Sequence, residues 1–233
     1  MKYDRKFILD SIKKLGNRYG THEAFRDVVI CCAYALANNV DFKDSREKEY
    51  LRVISKYTDE EKQLFPKILV SLFNEYATAE TPTDILGDIY EKLNLTKKGA
   101  AQFFTPLSVC EMMAKVIIDK NGSKKSVEEH GYVSVSDPSC GSGRNIYAAY
   151  SELLENGIDN KDILLVGDDL DLTCCCMTYV QLSLMDANAI VHHQDSLTMD
   201  RYDTFYTMPF VMNKELQEKL SNKEKEIEEE IEI

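Results

Sequence analysis

Residues Asp137-Pro138-Ser139-Cys140-Gly141-Ser142-Gly143 decide how this chain is read. They follow the β-type run Tyr132-Val133-Ser134-Val135-Ser136 and precede a stretch of helical pattern from about Arg144 to Glu155. A glycine-rich turn from strand into helix lets backbone approach a ligand closely, where a larger side chain would block it. A bare G-x-G also suits an ordinary tight turn, but the complete D-P-x-C-G-S-G string is far more specific.

Toward the C-terminus the same texture repeats. Ile163-Leu164-Leu165-Val166 runs up to Gly167, and Ala189-Ile190-Val191-His192-His193 runs up to Gln194, with a helical pattern from about Thr173 to Met185 between them. Alternating strands and helices predict a doubly wound parallel sheet, which binds ligands beyond the carboxyl ends of its strands. Toward the N-terminus the pattern is helical. Phe25, Val28, Val29, Cys32 and Leu36 recur at three-and-four spacing, Asp59 to Ala79 continues the pattern with a break near Pro66, and Thr83 to Leu93 aligns Ile85, Ile89 and Leu93. The expected class is α/β, with a helical N-terminal region over 1–98, a ligand-binding core over 99–213 and an acidic helical tail over 214–233.

The D-P-x-C-G-S-G string resembles the cofactor loop of the adenine-N6 and cytosine-N4 DNA methyltransferases, in particular the modification subunits of type I restriction systems. Gly99-Ala100-Ala101-Gln102-Phe103-Phe104-Thr105-Pro106 is similar to the G-x-F-F-T-P segment that in this family closes over the methionine end of S-adenosylmethionine. Thr105 and Pro106 also suit a helix N-cap and first helical residue. Val166-Gly167-Asp168-Asp169-Leu170-Asp171 resembles the family's strand-end acid, which points to Asp169 as the ribose ligand and Asp171 as a helix cap. Gln194-Asp195-Ser196-Leu197 resembles the G-D-S-L turn, whose aspartate lies near the cofactor's adenine. The resemblance covers about residues 84–200. It implies a Rossmann-like S-adenosylmethionine-dependent methyltransferase fold, with S-adenosylmethionine held by Gln102, Phe103, Phe104, Thr105, Asp137, Pro138, Ser139, Gly141, Gly143, Asp169, Leu170, Asp195 and Ser196.

The resemblance weakens at Tyr206-Thr207-Met208-Pro209-Phe210. Family members carry Asn or Asp, then Pro-Pro and an aromatic residue, to hold and stack a flipped adenine. On that pattern Thr207, Pro209 and Phe210 would be the catalytic residues, with a hydroxyl replacing the stronger acceptor. Met208 to Phe210 also read as a hydrophobic turn leading into the acidic tail. The resemblance therefore implies an adenine-specific DNA methyltransferase or modification subunit, or else a catalytically silent cofactor-binding relative that acts through interactions.

Bulk properties constrain partners. The net charge is −12, with four lysines against eight glutamates from Lys214 onward. A protein that grips duplex DNA alone normally presents a basic face, so DNA contact is expected to need a separate specificity subunit or another protein. A chain of this length leaves no room for a target-recognition domain after the last motif, which carries the same expectation. Seven cysteines, five of them in adjacent positions, suit a reducing cytoplasm and form no pattern of metal-ligand spacing. No metal and no membrane association are expected. The tail reads as a solvated or frayed helix, with a partner-docking helix as the other reading.

Overall fold

The structure, a computed structural model, describes residues 4–95 and 104–231, with side chains up to Lys223. Six helices come first: α1 (Arg5–Tyr19), α2 (Thr21–Val40), α3 (Asp44–Ile54), α4 (Asp59–Lys62), α5 (Leu64–Ala77) and α6 (Ile85–Lys92). The break expected near Pro66 falls at Gln63, and Pro66 sits in the first turn of α5, where its missing N–H costs no helical bond. After α7 (Leu107–Ile117) and α8 (Lys120–His130) the sheet begins. Its elements are β1 (Val133–Asp137), α9 (Arg144–Glu155), β2 (Ile163–Asp169), α10 (Leu172–Leu184), β3 (Ala189–Gln194) and β4 (Arg201–Tyr206), followed by α11 (Met208–Met212) and α12 (Lys214–Ile231).

The strand order is β1-β2-β3-β4. β1, β2 and β3 are parallel as expected, while β4 runs antiparallel to β3. The order is sequential, so both crossovers step the same way and α9 and α10 lie on one face of the sheet. Ile163, Leu165, Ala189, Val191 and Phe205 point to that face and join a continuous core with α1, α2, α5 and α6. Leu164, Val166, Ile190 and Tyr206 point to the other face, where Tyr132, Phe210 and Leu216 cover them.

Helix α10 explains the cysteines. Nine successive residues, Cys174 to Leu182, are buried because α10 is sandwiched between the sheet and α2. Small apolar thiols let these elements approach closely. All seven cysteines are free and buried. Burial raises the Cys31, Cys140 and Cys174 thiols far above the usual range, which keeps them uncharged and unreactive.

Two local expectations change. Pro106, not Thr105, occupies the N-cap of α7, and no side chain caps that helix. α7 buries Cys110 and Ala114 against α9 and leaves Val116 and Ile117 exposed, with Ile117 lining a groove along β1, the edge strand of the sheet among the described residues. The tail is not wholly solvated either, since Leu216 at the start of α12 is buried in the cluster on the second face of the sheet. No helix among the described residues is long and apolar enough to cross a membrane.

Candidate functional site

The carboxyl ends of β1, β2 and β3 bring three of the quoted turns together. Gly141 and Gly143 have φ of 55° and 97°, the left-handed region that glycine enters without strain. A side chain at Gly143 would meet the Tyr147 ring and hydroxyl, the nearest atom at 2.3 Å. Asp137 holds the turn from its own strand end, accepting from the Ser139 amide at 3.0 Å and the Asn145 side chain at 3.1 Å. Asp169 reaches across from β2 and accepts from the Gly141 amide at 2.8 Å and the Asp171 amide at 2.9 Å. Each Asp169 oxygen thus takes one of these N–H groups and keeps a second lone pair. Burial pushes the Asp169 carboxyl upward, and its backbone donors oppose the shift.

The turn after β3 closes on the same place. Ser196 donates to the Pro138 carbonyl at 2.6 Å. Asp195 folds its turn by accepting from the Leu197 and Thr198 amides. Leu170 is exposed at the mouth between the two acidic turns. Asp171 caps α10 by accepting from the Thr173 and Cys174 amides, as expected. Phe104 lies against the glycine turn, 3.2 Å from where a side chain at Gly141 would begin, and packs edge-on to Tyr90. Thr105 is exposed, and its carbonyl accepts from Arg144 at 3.3 Å. A small cavity of about 90 Å³ lies between Phe104, Thr105 and the residues from Ser139 to Asn145. Gln102 and Phe103 lie outside the described residues.

Beneath the glycine turn is a buried network that the sequence reading missed. Asp84 caps α6 through the Gly87 amide at 2.8 Å. It also accepts from Ser142 at 2.6 Å, Arg144 at 2.7 Å and Gln181 at 3.0 Å. Gln181 in turn accepts from the Tyr76 hydroxyl. Burial pushes the Asp84 carboxyl up, and the Ser142, Gly87, Arg144 and Gln181 contacts pull it back. The helical region is therefore bolted directly to the ligand turn.

The Thr207-Met208-Pro209-Phe210 segment is elsewhere. Because β4 is antiparallel, its carboxyl end lies beside the first residue of β3. The Thr207 amide bonds the Ala189 carbonyl at 3.1 Å. A strand of six residues puts that end roughly 15–20 Å from the glycine turn. Thr207 is 0% exposed, and its hydroxyl donates to the Ala187 carbonyl while accepting from the Ala189 amide. Phe210 is 8% exposed and stacked on Tyr206, while Pro209 lies in the first turn of α11. The expectation that Thr207, Pro209 and Phe210 face a substrate at the cofactor turn is thus corrected. Met208 to Phe210 begin a short helix packed on the second face of the sheet, in keeping with the other reading of those three residues as a hydrophobic turn, and Thr207 stands at its N-cap.

The second face of the sheet carries a titratable pair of neighbours. Asp168 has one buried carboxylate oxygen without a hydrogen-bond partner among the described residues. Its register partner His192 bonds Thr204 at 3.0 Å, and burial together with Arg201 lowers the imidazole to about 4. A histidine depressed below its unfolded value near 6.5 stays neutral in the fold while the unfolded chain takes up a proton. Stability should therefore fall as pH drops from about 6.5 toward about 4. Urea midpoints measured across that window should flatten in His192→Asn, and an unaltered slope would remove His192 as the cause.

Residues 81–231 match the family described as N-6 DNA methylase, and the chain belongs to that family. It is similar to the methylase subunit of the type I restriction enzyme MjaIX of Methanocaldococcus jannaschii, 26% identical over 167 residues. That alignment covers 63% of this chain and 28% of the relative, so the chain spans well under half of the relative's length. Among solved structures it is similar to a putative class I S-adenosylmethionine-dependent methyltransferase from Listeria monocytogenes. That similarity has 16% identity and a TM-score of 0.45, covering 83% of this chain and 54% of the other.

Proposed function

We propose that the chain binds S-adenosylmethionine across the three strand ends and serves as a methyl-transferring subunit acting on adenine N6 in DNA. The observation that carries this reading is the clasp between Asp169 and the Gly141 amide, which sets a glycine turn and a strand-end acid on one mouth. When bound, the cofactor supplies an electrophilic methyl group on a sulfonium. In this reading Asp137, Pro138, Ser139, Gly141 and Gly143 form the cradle, and Phe104 and Thr105 flank it. Asp169 offers its remaining lone pairs to the ribose hydroxyls, while Leu170, Asp195 and Ser196 line the adenine end. The turn residues present fit such a group, since Gly141 and Gly143 take the left-handed conformation that presents main chain at the mouth, with Tyr147 and Phe104 packed where their side chains would begin.

The base-holding acceptors must then come from groups other than Thr207 and Phe210, and sequence choice from a separate specificity protein. Calorimetry with S-adenosylmethionine and labelled-methyl transfer to DNA, with and without co-purified partners, test the two parts. Cofactor binding with transfer supports the proposal. Binding without transfer under either condition supports a silent cofactor-binding relative. Absence of cofactor binding rejects both.

Asp169→Ala should weaken S-adenosylmethionine binding by about 1.5–3 kcal/mol, the cost of losing hydrogen bonds to a charged acceptor. Calorimetry on a variant shown to be folded by circular dichroism checks this, and unchanged affinity rejects the ribose assignment.

A further inference from the structure

A cavity of about 570 Å³ opens beside β4, lined among others by Lys43, Arg46, Arg201, Asp203, His193 and Tyr202. Lys43, Arg46 and Arg201 line it with Asp203, in a chain of net charge −12, while Asp41 stands within 4.0 Å of Lys43 and Arg46 and Asp168 feels the charge of Arg201. By contrast, the cavity lined by Glu111, Lys115, Glu152 and Glu155 is acidic, and the groove along β1 holds only Asp137 as a charged group.

The cations are not equivalent. Arg46 is 2% exposed and fully engaged: it binds both oxygens of Asp203, the Thr204 carbonyl and the Asp41 carbonyl, and lies over the Phe205 ring. Arg46 therefore neutralises Asp203 and holds the wall. Lys43 bonds Asp203 at 2.8 Å, stands 3.6 Å from Asp41 and is one-third exposed, so it retains ammonium hydrogens for a ligand. Arg201 is exposed, and the buried Gln194 accepts from its Nε at 2.9 Å. Its terminal nitrogens make no hydrogen bond or ion pair within 4 Å among the described residues, so the oriented fork keeps donors for a ligand while its charge is felt by Asp168 and His192.

The rim adds a stacking surface. Tyr202 is 59% exposed and packs on His193 at 5.0 Å. His193 is tied to the Leu170 carbonyl at 3.1 Å, so the cavity adjoins the acidic turn of the candidate site. A cationic pocket with an exposed aromatic edge is the combination that binds a nucleic-acid strand, with phosphate on the cations and a base or sugar on the ring.

We infer that this cavity seats a phosphodiester of the DNA strand beside the methyl-donor site, on Arg201 and Lys43 with Tyr202 as the stacking edge. The inference rests on the proposed reading of the strand-end site and supplies the DNA contact that the overall acidity had appeared to deny. The test is fluorescence anisotropy with labelled single-stranded and duplex oligonucleotides, using the whole chain, Arg201→Gln, Tyr202→Ala and the Arg201→Gln/Lys43→Gln double variant.

Over about 50–200 mM salt, the double variant should bind roughly tenfold more weakly and lose about one unit of log–log salt slope for each phosphate contact removed. Arg201→Gln gives up the Gln194 bond and the charge felt by Asp168 and His192, so urea unfolding of each variant accompanies the titrations and binding is compared only between folded proteins. Tyr202→Ala should weaken single-strand binding with little change in salt slope. Equal affinity and slope for wild type and Arg201→Gln overturn the inference, as does failure of the wild type to bind DNA. Competition by inorganic phosphate as effective as competition by unlabelled oligonucleotide also overturns it, assigning the cavity to a free anion. S-adenosylmethionine affinity, measured in parallel, should be the same in all variants. Its absence in the wild type would reject the proposed function and leave the DNA result standing.

Discussion

Asp84→Ala should lower stability by about 3 kcal/mol and, in the same variant, weaken S-adenosylmethionine binding. Asp84 is 1% exposed and is the shared acceptor for Ser142, Arg144, Gln181 and the Gly87 amide. Removing one partner of a buried ion pair costs about 3–5 kcal/mol, because the other charge is left without compensation. Here the low end applies. Arg144 keeps Glu91 at 2.8 Å and Asp88 at 3.6 Å, both more exposed than Asp84. For a chain of this size the loss corresponds to a fall in melting temperature of about 6–12 °C. Asp84→Asn is not a rescue, since its amide presents a donor to groups that are already donors. A loss below about 1 kcal/mol in urea unfolding would show that the network is dispensable. A full stability loss with unchanged cofactor affinity would show that Ser142 holds the glycine turn without this anchor.

What the sequence disclosed follows the range of the forces involved. The three parallel strands and α9 were readable because strand patterning, glycine turns and helix caps act over a few residues. Arg144 to Glu155 is the helix that the pattern predicts. Asp169 and Asp171 were separable for the same reason, one placed at a strand end and the other two residues before the first capped amide. Asp84 was not readable as a hub. Its local signal is only that of an N-cap for α6, and its decisive partners lie 58 to 97 residues away.

The position of β4 was readable in principle and overlooked. Six residues, Asp195 to Asp200, separate β3 from β4, whereas a crossover to a parallel strand takes a dozen or more. That connection is a tight turn in which the Met199 amide bonds the Asp195 carbonyl at 2.7 Å and the Asp195 amide bonds the Asp200 carbonyl at 3.0 Å. The chain therefore reverses against β3 and carries Thr207 to the far end of the sheet. Connection length, not residue identity, moved the motif away from the glycine turn.

That reversal gives a sharp expectation for Phe210. Its ring fills the cluster with Tyr132, Leu164 and Leu216 and stacks on Tyr206 at 5.9 Å. Phe210→Ala should cost about 3 kcal/mol or more, the usual penalty for emptying a buried aromatic site. Leu216 would lose part of its seat with it, so α12 should detach more readily, visible as faster amide exchange over the first turns of that helix. Phe210→Leu keeps most of the apolar volume and should recover much of the stability. Below its melting temperature, either variant should bind S-adenosylmethionine as the wild type does, because the ring is a strand's length from Gly141. A base-stacking residue behaves in the opposite way: truncation would spare stability, and Phe210→Leu would lose whatever transfer activity the aromatic face supported. Intact stability with lost transfer would overturn the assignment of Phe210 to the core and return it to base stacking.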